Sequence, residues 1–372
     1  MQILSLGAWI MSANLSQSSP SHRILGLDGL RALSVLAVFF HHTGGSLLKG
    51  GYIGVEFFFV LSGFLITKIL REEKSRNGSI DFVSFYMRRA RRLYPALILL
   101  VLGVAAYCAV VGGKYNIWSE TLPALFYVMN WYRAFDWYDA ILTGHTWSLA
   151  IEEQYYLIWP LMLSVILLVV PRKPYFVVTG IAALVVLWRY YLFQQGIPLS
   201  RVYGGFDTHA DGLLIGAILA LIPPGYLSKL GKLWVPASAY LIVVLLDQSA
   251  VNFSLSKFGF GTVSLAAAIV IARVISEQDS LLVANLSVSP LAWLGKVSYG
   301  FYLWHYPVIQ IVMYGGHDSV LGFFGSLQYP IPLLVSFVFT ISMVLTVISW
   351  YLVEQPIMRA VSRSRSEPAV SA

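Results

Sequence analysis

The chain has 372 residues, 58% of them apolar and only 12% charged, roughly half the charged share of an average soluble domain. That composition excludes an ordinary soluble globular protein and makes lipid the solvent. The +7 formal charge lies in short loops with no soluble domain to gather it, which excludes nucleic-acid binding as its use, and the single Cys108 excludes an intramolecular disulfide and a thiolate metal cluster.

Taken in chain order, residues 1–24 lack the basic n-region of a secretory signal and read as a cytoplasmic lead-in, with Met11 as an alternative start. Apolar runs bounded by Gly, Pro and charge then recur at 27–47, 51–70, 93–112, 146–171, 175–193, 208–224, 233–248, 258–277, 291–315 and 329–353. Their lengths approach the ~20 residues of a spanning helix. The expectation is an all-α polytopic membrane helix bundle of about ten spans, occupying residues 25–357 and followed by a basic cytoplasmic tail, 358–372. The aromatic segment 118–132 is too short to span and reads as an outer-surface or re-entrant helix. With the N-terminus inside, nineteen of the 25 Lys and Arg residues fall on the inner side, which orients both termini to the cytoplasm.

The first span, "LDGLRALSVLAVFFHH", carries Arg31 and His42. Eleven residues at 100° each put them within about 20° in azimuth and about 16.5 Å apart along the axis. Arg31 then sits near the inner boundary and His42 deep in the hydrocarbon layer, on one face. A polar group at that depth is costly unless it faces a cavity or the bundle interior; a hydrogen bond that only fixes packing is the alternative. In the second span, Glu56 is expected near the outer end, either close enough to His42 to fix its tautomer or exposed to water.

The third span opens with "RRARRLYP". Arg89 and Arg92, three residues apart, point the same way, and with Arg88 they suit either phosphate recognition or attraction to anionic membrane lipids. In "GHTWSLAIEEQYYLIWPL", Glu152 and Glu153 lie about two turns into the span, and their 100° divergence predicts that one faces a cavity and the other the boundary. Trp147, Tyr155, Tyr156 and Trp159 suit an interfacial belt or stacking against sugar rings. Asp207, His209 and Asp211 open the sixth span at one level; helix-terminus placement explains them better than a metal site, and no metal is expected. The ninth span holds Ser298, Tyr299, Tyr302, Trp304 and His305 before Pro307, and a packed, hydrogen-bonded histidine beside a proline kink is the leading reading of His305.

Together these motifs resemble the acyltransferase-3 family of integral membrane O-acyltransferases over nearly the whole chain. The resemblance implies transfer of an acyl group, often acetyl, from cytoplasmic acyl-CoA as co-substrate, with no permanently bound cofactor, to a carbohydrate or glycolipid acceptor. Arg31 and His42 match the family's Arg-x10-His pair, implicated in catalysis, and Arg89 and Arg92 its Arg-x-x-Arg signature, implicated in donor handling. Glu56 stands where the family has Asp in Gly-Val-Asp, and no extracytoplasmic hydrolase-like domain follows. On this resemblance His42 is the expected general base, with an acyl-histidine relay as the other mechanism. Catalytic roles are expected for Arg31, Glu152, Glu153 and Glu56, and acceptor or cavity contacts for Trp147, Tyr155, Tyr299, Trp304 and His305. O-antigen, exopolysaccharide, peptidoglycan, lipid-linked glycans and small glycosides all remain open as acceptors. A proton-coupled exporter and a non-enzymatic scaffold are the competing classes.

Overall fold

The computed structural model describes residues 24–44, 48–138, 140–247, 260–314 and 331–364, and every regular element among them is helical. In chain order these are α1 (Leu25–His42), α2 (Ile53–Asn77), α3 (Phe82–Val111), α4 (Ile117–Leu125), α5 (Met129–Ala134), α6 (Trp147–Val169), α7 (Pro174–Gln194), α8 (Leu199–Gly204), α9 (Phe206–His209), α10 (Asp211–Leu221), α11 (Pro224–Gly231), α12 (Trp234–Leu246), α13 (Phe260–Ser276), α14 (Leu281–Leu286), α15 (Ser289–Met313), α16 (Ile331–Ser349) and α17 (Gln355–Ser364). A 3-10 turn, Gly144–Thr146, leads into α6, and a π-helical turn, Trp350–Glu354, joins α16 to α17.

The protein is a polytopic helical membrane protein. Each of the ten expected runs coincides with a helix, but fewer are long and apolar enough to cross a bilayer. Five meet that standard among the described residues: Ile53–Asn77, Phe82–Val111, Gly144–Val169, Pro174–Gln194 and Pro332–Arg359. The pair α11 and α12, bent by 57°, makes a sixth if it counts as one span. The expected run 208–224 shortens to the 11 residues of α10, about 16.5 Å of helix against a hydrocarbon layer of about 30 Å. Gly204-Gly205 and Pro223-Pro224 break the chain on either side of it. Segment 118–132 becomes two short helices, α4 and α5, in place of one. The lead-in before Ile24 and the ends of several runs (45–47, 248, 258–259, 315 and 329–330) lie outside the described residues. The expected boundary at 357 falls within α17 rather than between elements.

Local chemistry explains several ends. Asp81 caps α3 by accepting from the Ser84 N–H, and Asn116 caps α4 by accepting from the N–H groups of Trp118 and Ser119. Packing then depends on small residues where helices cross. A Cβ at Gly63 of α2 would run into the Leu213 carbonyl oxygen of α10, and one at Gly216 of α10 into that of Val60. On the other side of the bundle a Cβ at Gly295 of α15 would meet the Asp28 carbonyl of α1. The Trp159 indole N–H donates to Thr67 Oγ1 at 2.8 Å, tying α6 to α2 in the buried core. These crossings leave α1, α2, α3, α6 and α15 around a shared interior.

Gly63→Val should therefore force α2 from α10 and cost about 2 kcal/mol or more, read as a lower melting temperature in detergent. Gly180→Val, at a position with nothing within 4 Å of the new carbon, should leave that temperature within about a degree.

Candidate active site

Helices α1, α2, α3, α6 and α15 enclose a polar cavity of about 960 Å³. It runs from Ile24 and Arg76 at one end to Val55 and Ser148 at the other. Arg31 enters from α1, Arg89 and Arg92 from α3, Glu152 and Glu153 from α6, Lys296 and Tyr299 from α15, and Trp350 and Glu354 from the π-turn. The i, i+3 spacing thus turns Arg89 and Arg92 to one side, as expected. Arg89 lies over the Tyr156 ring, 3.7 Å from its centre, a cation–π contact. The buried Nε–H groups of Arg31 and Arg89 have no acceptor within the protein, and an anionic group in the cavity would supply one. Both glutamates line the cavity, which corrects the expectation that one would face away: an interior of this size accepts side chains 100° apart on one helix. Ser62 Oγ donates to Glu152 at 2.5 Å.

At the Val55 end the cavity is closed by a hydrogen-bonded pair. Tyr302 Oη donates to the His145 carbonyl at 2.9 Å, so the 2.7 Å contact with Ser148 Oγ is one that Ser148 donates. Tyr302 and Ser148 line the cavity, and the Tyr302 ring centre is 5.4 Å from each of the His145 and His305 rings. Three imidazoles gather there. His42 is the last residue of α1, so it lies at the helix end rather than mid-span. Its Nδ1 is 2.9 Å from His305 Nε2, and His305 Nδ1 is 3.1 Å from the Phe301 carbonyl.

These two distances assign the tautomers. A carbonyl only accepts, so His305 Nδ1 carries its hydrogen. In the neutral ring Nε2 is then an acceptor, and His42 must donate from Nδ1. The His42 Nε2 lone pair is left available to take a proton. His305 is fully buried and hydrogen-bonded, in agreement with its leading reading, but its partner is His42 itself. The third ring, His145, lies in the 3-10 turn with Nε2 3.2 Å from the Leu303 carbonyl and Tyr306 stacked on it at 4.8 Å. His145 was missed by sequence reasoning. Its signal was its place in "GHTWSL", directly before the span that carries both glutamates.

Other expected site residues lie elsewhere. Glu56 is 1% exposed and does not approach His42. It accepts from His209 Nε2 at 2.7 Å and from Ser264 Oγ at 2.7 Å, because its face of α2 packs against α10 and α13. Arg88 pairs with Glu73 at 3.3 Å outside the cavity. Trp147 is buried against His209 and Tyr203, Tyr155 stacks on Trp159, and Trp304 packs against Gly103 of α3; none lines the cavity. Asp207, His209 and Asp211 separate into three pairs, with Arg201, Glu56 and Arg189.

A multi-helix membrane bundle with an arginine- and glutamate-lined cavity, closed beneath a histidine pair, defines a class of membrane protein with an interior reaction or transport site. Residues 24–353 match the family described as an acyltransferase domain, and the chain belongs to this acyltransferase-3 family. It is 38% identical over 306 residues to the peptidoglycan O-acetyltransferase OatA of Listeria monocytogenes, covering 77% of this chain and 49% of that protein. It is 37% identical over 317 residues to the putative peptidoglycan O-acetyltransferase YrhL of Bacillus subtilis, covering 78% and 49%. A putative O-acetyltransferase of Staphylococcus aureus is 34% identical over 313 residues, covering 78% and 51%. The chain thus spans about half the length of these relatives. No solved structure matches.

The tautomer assignment has a direct spectroscopic consequence. In protein carrying ¹⁵N-histidine, His42 should show a protonated Nδ1 coupled through the hydrogen bond to His305 Nε2, and an unprotonated Nε2. A protonated Nε2 on His42 would reverse the donor direction and remove the assignment.

Proposed function

We propose that the protein is an O-acyltransferase of the bacterial cytoplasmic membrane. In this reading it moves an acetyl group from cytoplasmic acetyl-CoA to a hydroxyl of a cell-envelope glycan. The observation that carries it is the pairing of a cation-lined cavity with a histidine whose Nε2 lone pair is available. Both ends of the chain are cytoplasmic and the expected ten helices cross or partly cross the bilayer, so the Ile24–Arg76 end of the cavity is the donor's entrance. Arg31, Arg89 and Arg92 hold the phosphates of the donor. At about 960 Å³ the cavity sits at the upper end of the usual range for ligand sites.

His42 Nε2 takes the proton from the acceptor hydroxyl as that oxygen attacks the thioester carbonyl. The tetrahedral intermediate then expels the coenzyme A thiolate, which receives the proton from His42, leaving ester and free thiol. His305 orients the base, much as a second group orients a catalytic imidazole elsewhere. Glu152 and Glu153 limit the positive charge of the cavity.

Two relatives carry peptidoglycan acetylation in their names, which favours peptidoglycan over O-antigen or exopolysaccharide as the acceptor here. The Tyr302–Ser148 bond lies between cavity and base, so the thioester has to displace it. That separation is also the reason to keep the acyl-histidine relay as a second reading. With acceptor omitted, direct transfer leaves His42 unmodified, whereas the relay leaves an acyl group on its Nε2, detectable by mass.

The test is transfer of label from radiolabelled acetyl-CoA into envelope glycan by membranes containing wild type or His42→Ala. Label should appear with wild type and fall at least 100-fold in the variant; equal labelling removes the base role, and glycan movement without acetyl-CoA favours an exporter. Arg92→Gln should weaken donor binding about 10-fold or more, the scale of a hydrogen bond to a charged group, while Arg88→Gln should change it less than about 2-fold. Equal effects would mean that the cluster serves lipid anchoring.

A further inference from the structure

The aromatic residues expected to meet the acceptor, Trp147 and Tyr155, are buried, and a different set of rings is exposed nearby. At the end of α5, Trp131 and Phe135 stack with centroids 5.8 Å apart and planes at 16°, and Phe135 and Trp137 stack at 5.3 Å and 24°. Side chains two positions apart do not face each other on a continuing helix. Phe135 and Trp137 meet because Asp136 between them takes a φ of 51°, the left-handed region that disfavours side-chain-bearing residues and that Asp tolerates better than most. Strained turns of this kind cluster at binding and catalytic sites. Phe135 is 49% and Trp137 64% exposed.

The row has a charged edge. The Arg201 guanidinium of α8 lies 5.3 Å from the Trp131 ring centre and 5.7 Å from that of Phe135. It binds Asp207 in bidentate fashion, at 2.9 and 2.7 Å, and the Trp188 indole N–H donates to the same carboxylate at 2.8 Å. Burial acts to raise the Asp207 carboxyl, but the hydrogen bonds from Arg201 and Trp188 outweigh it and hold the group below its usual range. The same short helix is tied to the histidines: Arg133 Nη1 donates to the Gly144 carbonyl at 3.3 Å, in the turn that carries His145.

An acyl chain matches only half of this surface, because it offers nothing to an ion pair and would strip its solvation. A pyranose ring matches both halves. Its C–H face covers an aromatic ring, while hydroxyls around its rim reach carboxylate and guanidinium, the combination of apolar area with a few placed polar groups that ligand sites use. We propose that Trp131, Phe135 and Trp137, edged by Arg201 and Asp207, form a subsite that binds a glycan strand. The subsite rests on the acyltransferase reading for its purpose, which is to hold the acceptor beside the turn that carries His145. It does not rest on that reading for its existence.

The test is a binding titration of purified full-length protein in lipid nanodiscs with chitotetraose, a β-1,4-linked N-acetylglucosamine tetramer, with no acyl donor present. Wild type should bind saturably with quenching of tryptophan fluorescence. The double variant Phe135→Ala, Trp137→Ala should bind about tenfold or more weakly at an unchanged melting temperature, and Phe135→Tyr, Trp137→Phe should restore binding measured by calorimetry. Absence of saturable binding by wild type, or equal affinity in the double variant, overturns the subsite. Strong quenching of wild type by brominated lipid, lost in the double variant while tetramer binding is retained, makes the rings a membrane belt and equally overturns it. Saturable binding without any acetyl transfer would leave the subsite standing and remove the proposed reaction.

Discussion

A single N–H···N hydrogen bond, 2.9 Å long, joins the end of the first helix to the middle of one that begins nearly 250 residues later. It forms because α1 and α15 lie close at their other ends, where Gly295 backs onto the Asp28 carbonyl. The small residue sets the crossing, the crossing brings His305 to His42, and His305, fixed by the Phe301 carbonyl, leaves one nitrogen of His42 with its lone pair. Packing at one end of the helix pair thus decides proton chemistry at the other.

The same economy governs the remaining buried polar groups. In lipid, a charged side chain needs a partner or water. Arg189 is fully buried and bound through both terminal nitrogens to Asp211 at 2.8 and 2.9 Å, and Arg201 is bound to Asp207. Two of the six cations assigned to the outer side are therefore ion-paired, while the inner cluster of Arg89, Arg92 and Arg31 faces a cavity. Glu56, His209 and Ser264 form a third closed set. Polar residues that are fully satisfied within the protein hold helices together; those around the cavity retain donors for something else to meet.

Much of this was legible in the chain. Helical periodicity sufficed to relate Arg31 to His42 and Arg89 to Arg92, because both relations lie within one helix. Partners between helices were not legible. Nothing local in "GYIGVEFF" distinguishes a glutamate beside His42 from one beside His209, since the choice depends on how α2 packs against α10. Trp147 and Tyr155 look like cavity or interface aromatics because residue type alone does not reveal burial. Apolar length gave the positions of the helical runs, but their breakage into pieces such as α8, α9 and α10 depends on glycine pairs and on neighbours that satisfy the freed backbone groups.

The π-turn Trp350–Glu354 adds a constraint of another kind. Such a turn accommodates one residue more than an α-helix of the same rise, and here it carries Trp350 and Glu354 into the cavity with Met358 just beyond. Removing any one residue from it would restore ordinary helix and swing everything downstream by about 100° around the axis, taking Met358 off the cavity wall while leaving every upstream contact in place. The shape of that wall is thus written partly in the number of residues in the chain, and an insertion or deletion there would reshape it even where every side chain type was preserved.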